Sequence, residues 1–339
     1  MLLSRHTGRR EVIALLGGTA VGLPLGARAQ QPDRMRRIGA LMHISESDRE
    51  GQARIKAFRQ SLEALGWVEG RNLTIEYRWT GGDPQRARSA ASEMASLAPE
   101  VILSHSGPML SAIRDATRTV PIVFVQVVDP VGQGFVESLA RPGGNITGFT
   151  HFEPEMGGKW LEILKEVAPQ VRRVAMLYNP RSAAEGAGSG IYLRSFETIA
   201  SALAVHPVAF AVRDPTEMER SLAAFAAEPN GGLLVPPDIF NTTHREEIIA
   251  LSARHRLPAI YPYRYYVLSG GLIAYGVDLL ELYPRAADYV DRILKGARPG
   301  DLPIAQPTKF QLIVNLKTAK ALGLTIPESF LLRADEVIE

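Results

Sequence analysis

The 339-residue chain has no cysteine. That single absence removes disulfides, thiolate metal sites, cysteine nucleophiles and any lipid anchor attached through a thiol. Net charge is also scarce: 38 Lys and Arg against 36 Asp and Glu leave +2. A nucleic-acid partner usually requires a strong basic field, so this balance argues against one. Beyond the first thirty or so residues no apolar run is long enough to cross a membrane. No solenoid repeat is present, and apart from the N-terminus the one low-complexity stretch is Ala/Gly-rich, near Ala183 to Gly190. What remains is 46% hydrophobic and 22% charged, enough for real cores and long enough for two lobes.

Catalytic signatures are missing too. There is no phosphate-binding loop. Gly132-Gln133-Gly134 reaches Glu137 where a dinucleotide fingerprint requires a third glycine. Gly186 to Gly190 places its serine in the wrong slot for a nucleophile elbow. The seven histidines are scattered, with no helical pair at zinc spacing. His43 and His105 fall near strand ends, where they are either cleft residues or ordinary surface or hydrogen-bonded histidines. The expectation is a protein without catalysis, metal or cofactor.

Residues 1 to about 30 read as an export signal. Arg9 and Arg10 supply the positive segment, Val12 to Leu25 the apolar one, and Ala27-Arg28-Ala29 a small-x-small cleavage pattern. Cleavage would leave Gln30 or Gln31 at the mature start. The paired arginines fit a twin-arginine signal and also an ordinary secretory one.

From Arg37 onward β-branched runs alternate with helical stretches. Arg37–Met42, Leu73–Trp79, Val101–Leu103, Pro121–Val127 and Ile146–Phe149 read as strands, with helices at Gln52–Leu65 and Arg86–Leu97 between the early ones. The pattern then restarts. A helix at Lys159–Val167 leads to strands at Arg173–Tyr178, Val208–Val212, Leu233–Val235, Ala259–Tyr261 and Gly271–Tyr275. A long helix follows from Leu279 to Lys295, a Pro-rich crossing from Ala297 to Pro307, and a closing strand at Phe310–Leu316. Such alternation predicts an α/β fold of parallel sheets covered on both faces. Two runs of it predict two doubly wound lobes, and ligands bind such sheets beyond the carboxyl ends of their strands.

Polar residues cluster at those ends. Ser104 and Ser106 follow the third strand, before a helix whose free N–H groups suit a carboxylate; Ser106 is equally an N-cap. Asp129 follows the fourth strand, either toward a ligand or as another cap. Asn145 and Thr147 flank the first crossing, after a Gly143-Gly144 turn. In the second lobe Asn179, Asp238, Tyr275 and Asp278 end strands. Tyr261, Tyr263, Tyr265 and Tyr266 form an aromatic cluster in which individual rings face either cleft, core or surface.

The residues also carry a resemblance. Ala57-Phe58-Arg59-Gln60, Leu65-Gly66-Trp67-Val68-Glu69-Gly70-Arg71-Asn72-Leu73 and Ile75-Glu76-Tyr77-Arg78-Trp79 resemble the ABC transporter substrate-binding protein family that includes tryptophan- and tyrosine-type receptors. So do Pro121 to Val125 with Asp129-Pro130-Val131-Gly132, Leu139 to Gly148, Gln306 to Phe310, Asn315 to Lys320 and Ala334 to Ile338. The likeness spans about residues 36 to 339.

The resemblance implies a type I periplasmic-binding fold with lobes joined by a three-crossover hinge. It implies lobe 1 at 36–148 plus 277–302 and lobe 2 at 149–276 plus 303–339. It implies a monomeric periplasmic receptor that closes on a small-molecule ligand and delivers it to a membrane permease. The missing cysteine points to free diffusion rather than lipid anchoring. For an amino-acid-like ligand, strand-end placement and the likeness together put Ser104 and Ser106 on the carboxylate. Asp129, Asp238 or Asp278 then takes the ammonium, and Tyr261 or Tyr265 stacks on the side chain. A sugar receptor and a sensory binding protein of the same fold fit the sequence as alternatives.

Overall fold

The computed structural model describes residues 35–180 and 189–339. The expected export signal and most of the Ala/Gly-rich stretch lie outside them. The expected alternation is there, with edges moved by a few residues. β1 (Arg36–Met42) leads through α1 (Arg49–Ala64) to β2 (Leu73–Trp79), and α2 (Pro84–Ser96) leads to β3 (Val101–His105). Then come α3 (Gly107–Ala116), β4 (Ile122–Val127) and β5 (Ile146–Thr150). These strands form one five-stranded sheet in the order β2-β1-β3-β4-β5, with every pairing parallel.

Local chemistry accounts for where these helices start. Asp48 caps α1 by accepting from the Glu50 and Gly51 N–H groups, and Asp83 caps α2, whose first turn opens with Pro84.

The chain then enters the second sheet through α4 (Met156–Val167), β6 (Arg173–Tyr178), α5 (Leu193–Ala202), β7 (His206–Ala211), α6 (Pro215–Ala226) and β8 (Gly231–Leu234). Next are α7 (Ile239–Thr243), α8 (Arg245–Arg254), β9 (Ala259–Tyr261), α9 (Arg264–Leu268) and β10 (Ile273–Gly276). At this point the chain leaves. A 3₁₀ turn at Leu279–Glu281 runs into α10 (Leu282–Leu294), which packs on β3, β4, β5 and α1 of the first sheet. The long helix expected from Leu279 thus begins as a tighter turn.

A last passage returns to β11 (Gln311–Asn315), then α11 (Leu316–Ala321), α12 (Glu328–Leu331) and β12 (Glu336–Ile338). The second sheet has seven strands in the order β12-β11-β10-β9-β8-β6-β7. Two strands depart from the parallel rule: β11 runs antiparallel to β10, and β12, parallel to β11, shares its direction. The cause is the route. The first two passages between sheets enter a helix, which carries the chain to the far edge before a strand begins. The third enters a strand directly and so runs the opposite way.

The first and third passages lie side by side. Thr150 N–H donates to Ala305 O at 3.0 Å and Ala305 N–H to Gly148 O at 3.1 Å. Two α/β lobes are therefore joined at one place by three adjacent strands of backbone, the geometry of a hinge. No helix among the described residues is long and apolar enough to cross a membrane.

Candidate ligand-binding site

The carboxyl ends of both sheets meet across a seam. A small cavity of about 40 Å³ lies there, lined from the first lobe by His43, Ser106, Gln126 and Gln133, at the passage by His151, and from the second lobe by Tyr192, Asp238, Thr242 and Tyr263. A wider cavity of about 410 Å³ opens beside it between Arg88 and Asp115 on one side and Asn179, Arg213, Phe240 and His244 on the other. Pro108 and Ile239 border both. The lobes touch around this space: Arg245 of α8 pairs with Asp48 of α1 at 2.8 Å.

The seam is polar and buried. Ser104 and His105 are 0% exposed and Arg54 is 1% exposed. Several buried polar atoms here have no protein partner among the described residues: Nε and Nη2 of Arg54, Oγ of Ser104 and Ser106, Nδ1 of His105 and Nε2 of Gln126. Buried polar groups are normally satisfied, so such a concentration is unusual for a protein interior. The backbone is strained at the same place. Ser106 has φ 89° and Gln126 φ 61°, a region that non-glycine residues occupy at a cost.

The imidazoles are neutral. Burial, with the Arg54 guanidinium second, pushes His43 down to about 3, and burial pushes His151 to about 3 as well. His105 is lowered in the same way by burial, then by His43 and Arg54. His43 and His105 lie with ring centroids 4.2 Å apart, and His105 Nε2 meets Gln126 Oε1 at 2.9 Å. Behind the second-lobe wall runs a stack of phenol rings, Tyr263 on Tyr265 at 5.4 Å, Tyr265 on Tyr266 at 4.9 Å and Tyr266 on Tyr261 at 5.0 Å.

Residues 41–338 match the pattern of the family described as ABC transporter substrate binding protein. The chain belongs to that family. A curated relative, a tyrosine-binding protein of Clostridioides difficile (strain R20291), is 27% identical over 79% of this chain and 76% of its own. A solved structure of a conserved domain protein from Vibrio cholerae is 27% identical, with TM-score 0.82 over 90% of this chain and 100% of that one. An ABC domain from Streptococcus pneumoniae, solved in complex with L-Trp, is 23% identical with TM-score 0.81, covering 89% of this chain and 99% of that one. The fold is the type I one of periplasmic binding proteins, and the family is one of solute-binding proteins.

In this substrate-binding protein the expected site residues divide. Ser106 and Asp238 line the inner cavity, and Asn179 lines the wider one. Ser104 lies two residues further back on β3, its hydroxyl without a protein partner. Ser106 occupies the N-cap position of α3, yet its side chain caps nothing. Asp238 does cap, accepting from Phe240 N–H at 2.7 Å. Tyr265 lies on the seam, with the Arg54 and Arg245 guanidinium carbons 5.8 Å and 5.7 Å from its ring centroid.

The remaining expected residues are engaged elsewhere. Asp129 closes a turn by accepting from Gly132 N–H at 2.8 Å, and Asp278 starts the 3₁₀ turn by accepting from Leu280 N–H at 2.9 Å. Tyr261 is a core ring stacked on Tyr266. Tyr275 stacks on Phe310, and its carbonyl accepts from the Trp160 indole. Asn145 donates to Val120 O and Thr147 to Leu302 O, both at 2.7 Å. Those two lie at the amino end of β5, away from the seam, because a residue that opens a strand faces the opposite edge from one that ends it.

Arg54, Gln126 and Thr242 were not legible as site residues. Arg54 had one available signal. The buried face of α1 is Gly51, Arg54, Ile55, Phe58 and Leu62, so an arginine occupies a position that helical spacing assigns to the core. Gln126 sits inside a strand and reaches the seam through its left-handed backbone, which periodicity does not encode.

Proposed function

We propose that this protein is an exported receptor that encloses a small, amino-acid-like ligand between its lobes and delivers it unchanged to the permease of an ABC importer. The observation that carries the reading is the concentration of buried, unpartnered polar groups around a small cavity where the strand ends of both lobes converge. Such groups are stabilised when a ligand supplies their missing partners. The lobes are 36–148 plus 277–302 and 149–276 plus 303–339, and they open and close about the three adjacent passages. The Asp48–Arg245 pair favours the closed arrangement because its two charges come from opposite lobes.

Ser104 and Ser106 lie toward the ligand's carboxylate end, Asp238 toward its ammonium, and Tyr263 and Tyr265 beside its side chain. The relatives' ligands, tyrosine and L-Trp in their own descriptions, agree with an aromatic amino acid. The twin arginines and the small-x-small pattern near Ala29 fit a cleaved signal and a periplasmic location, and the missing cysteine fits a freely diffusing monomer without a lipid anchor.

The test is a thermal-shift screen of residues 31–339, unfolded and refolded to remove carried-over ligand, against amino acids, sugars, purines and small carboxylates. Ligand at a hundred times its Kd adds about 2.7 kcal/mol of stability. The expected result is a shift with aromatic or branched amino acids, the ligand recovered unchanged. A sugar as the sole class of hit removes the amino-acid assignment, and consumption of the ligand removes the receptor one.

A further inference from the structure

We propose that Arg54 is the anion anchor of the cleft, so that the ligand must carry a carboxylate and neutral solutes are rejected. This rests on the receptor reading above and names the chemical feature the site selects.

Arg54 is fully charged at any physiological pH, since a guanidinium does not deprotonate in proteins. It is 1% exposed, and among the described residues no carboxylate pairs with it. Asp48, six residues earlier at the N-cap of α1, is engaged by Arg245 at 2.8 Å. Glu50, also nearby, forms no ion pair with it. The closest polar neighbour is His105, whose Nε2 lies 3.5 Å from Arg54 Nη1. That nitrogen already faces Gln126 Oε1 at 2.9 Å, an oxygen that can only accept. His105 Nε2 therefore carries the proton and has no lone pair for Arg54. Two further guanidinium nitrogens, Nε and Nη2, have no partner among the described residues.

A buried cation without an anion is among the costliest arrangements in a protein interior. Among the described residues the fully buried carboxylates are engaged, Asp291 by Lys295 and the Trp67 indole and Asp238 by the Phe240 N–H, and the half-buried Asp48 and Arg245 pair with each other. The exception lies on the lobe seam, with first-lobe His105 on one side and the second-lobe Tyr265 ring on the other. The histidines beside it are neutral, so they add hydrogen-bonding groups but no charge of their own. The hydroxyls of Ser104 and Ser106 add uncharged donors. A planar guanidinium whose Nε and Nη2 N–H groups are free along one edge matches a carboxylate in a bidentate pair. A sugar would leave that charge desolvated and unpaired, and a site built around an unmet charge discriminates strongly against ligands that cannot meet it.

The experiment uses the refolded mature chain and two variants, Arg54→Gln and Arg54→Lys. Probes are L-tyrosine and L-tryptophan, the same molecules without the carboxylate (tyramine and tryptamine), and a neutral hexose, with binding read by calorimetry and apo stability by denaturant melts. The parent should bind the amino acids at least a hundredfold more tightly than the amines, and should not bind the hexose. Arg54→Gln should lose at least a hundredfold for the amino acids and Arg54→Lys less. Apo Arg54→Gln should melt at or above the parent, because an uncompensated charge has been removed. A purely structural arginine would instead lower the melt.

The proposal is overturned if the parent binds tyramine or the hexose as tightly as an amino acid, or if Arg54→Gln binds within threefold of the parent. It is also overturned if neither variant folds, which would make Arg54 a structural cation. A parent that binds nothing in this set or in the wider screen removes the receptor reading, and this inference with it. Binding of a neutral probe removes this inference alone.

Discussion

At the amino end of β5, Asn145 donates to Val120 O and Thr147 to Leu302 O; on the flank of the same lobe the Trp67 indole donates to Asp291 at 2.8 Å. At the carboxyl ends of the same sheet, Ser104, Ser106, His105 and Gln126 are buried more deeply than the part-buried Asn145 and Trp67, yet keep atoms without partners among the described residues. Both regions are polar residues in an interior. They differ in whether the protein itself completes the hydrogen bonding. Where it does, the polar groups hold backbone together and contribute about 1 kcal/mol each. Where it does not, they weaken the free protein and strengthen the bound one.

The largest expected effect comes from acid. His43, His105 and His151 titrate near their ordinary 6.5 when unfolded, but in the folded chain His43 and His151 sit at about 3 and His105 well below its usual value. Between those limits the unfolded chain binds more protons, so stability is greatest above about 6.5 and is lost as pH falls. Three such groups steepen the loss to as much as about 4 kcal/mol per pH unit. Urea titrations from pH 7.5 to 5 would show it, and His43→Gln should lessen the slope. A flat profile would mean that the seam histidines are hydrated and that the two ends of the sheet are alike in this respect.

Next in size is the satisfied end. Asn145→Ala leaves Val120 O without its donor and should lower stability by about 1–2 kcal/mol. Ligand affinity should stay within twofold, read by calorimetry on the same sample. A large affinity change would show that the amino end communicates with the cleft.

The smallest stability effect belongs to the unsatisfied end. Ser106→Ala removes a hydroxyl that bonds nothing among the described residues, and serine and alanine share the strain of φ 89°. Stability should change by less than about 0.5 kcal/mol, while affinity for the ligand falls about tenfold, the worth of one hydrogen bond. If stability falls and affinity does not, the hydroxyl is structural and the contrast fails at this residue.

Most of the fold was legible because it rests on local periodicity. β-branched runs and amphipathic faces are properties of neighbouring residues, and the strands at Leu73–Trp79, Arg173–Tyr178 and Ala259–Tyr261 appear where alternation put them. Less of the site was legible. Strand-end position brought Ser106, Asp238 and Asn179 to the cavities, but the same argument selected Asp129 and Asp278, which satisfy their own turns. A carboxylate after a strand can face a ligand or cap the next turn, and both choices have one sequence signature.

The sequence by itself determined an α/β chain of two doubly wound runs, an apolar face for each helix, and the strand ends as the place to look. Tertiary structure decided which polar groups there remain unmet. Asp48 meets Arg245 across 197 positions of chain, Arg54 meets Tyr265 and no carboxylate, and Thr147 meets Leu302. Whether a side chain is satisfied depends on residues remote in sequence and adjacent in space, which no pattern of neighbours records.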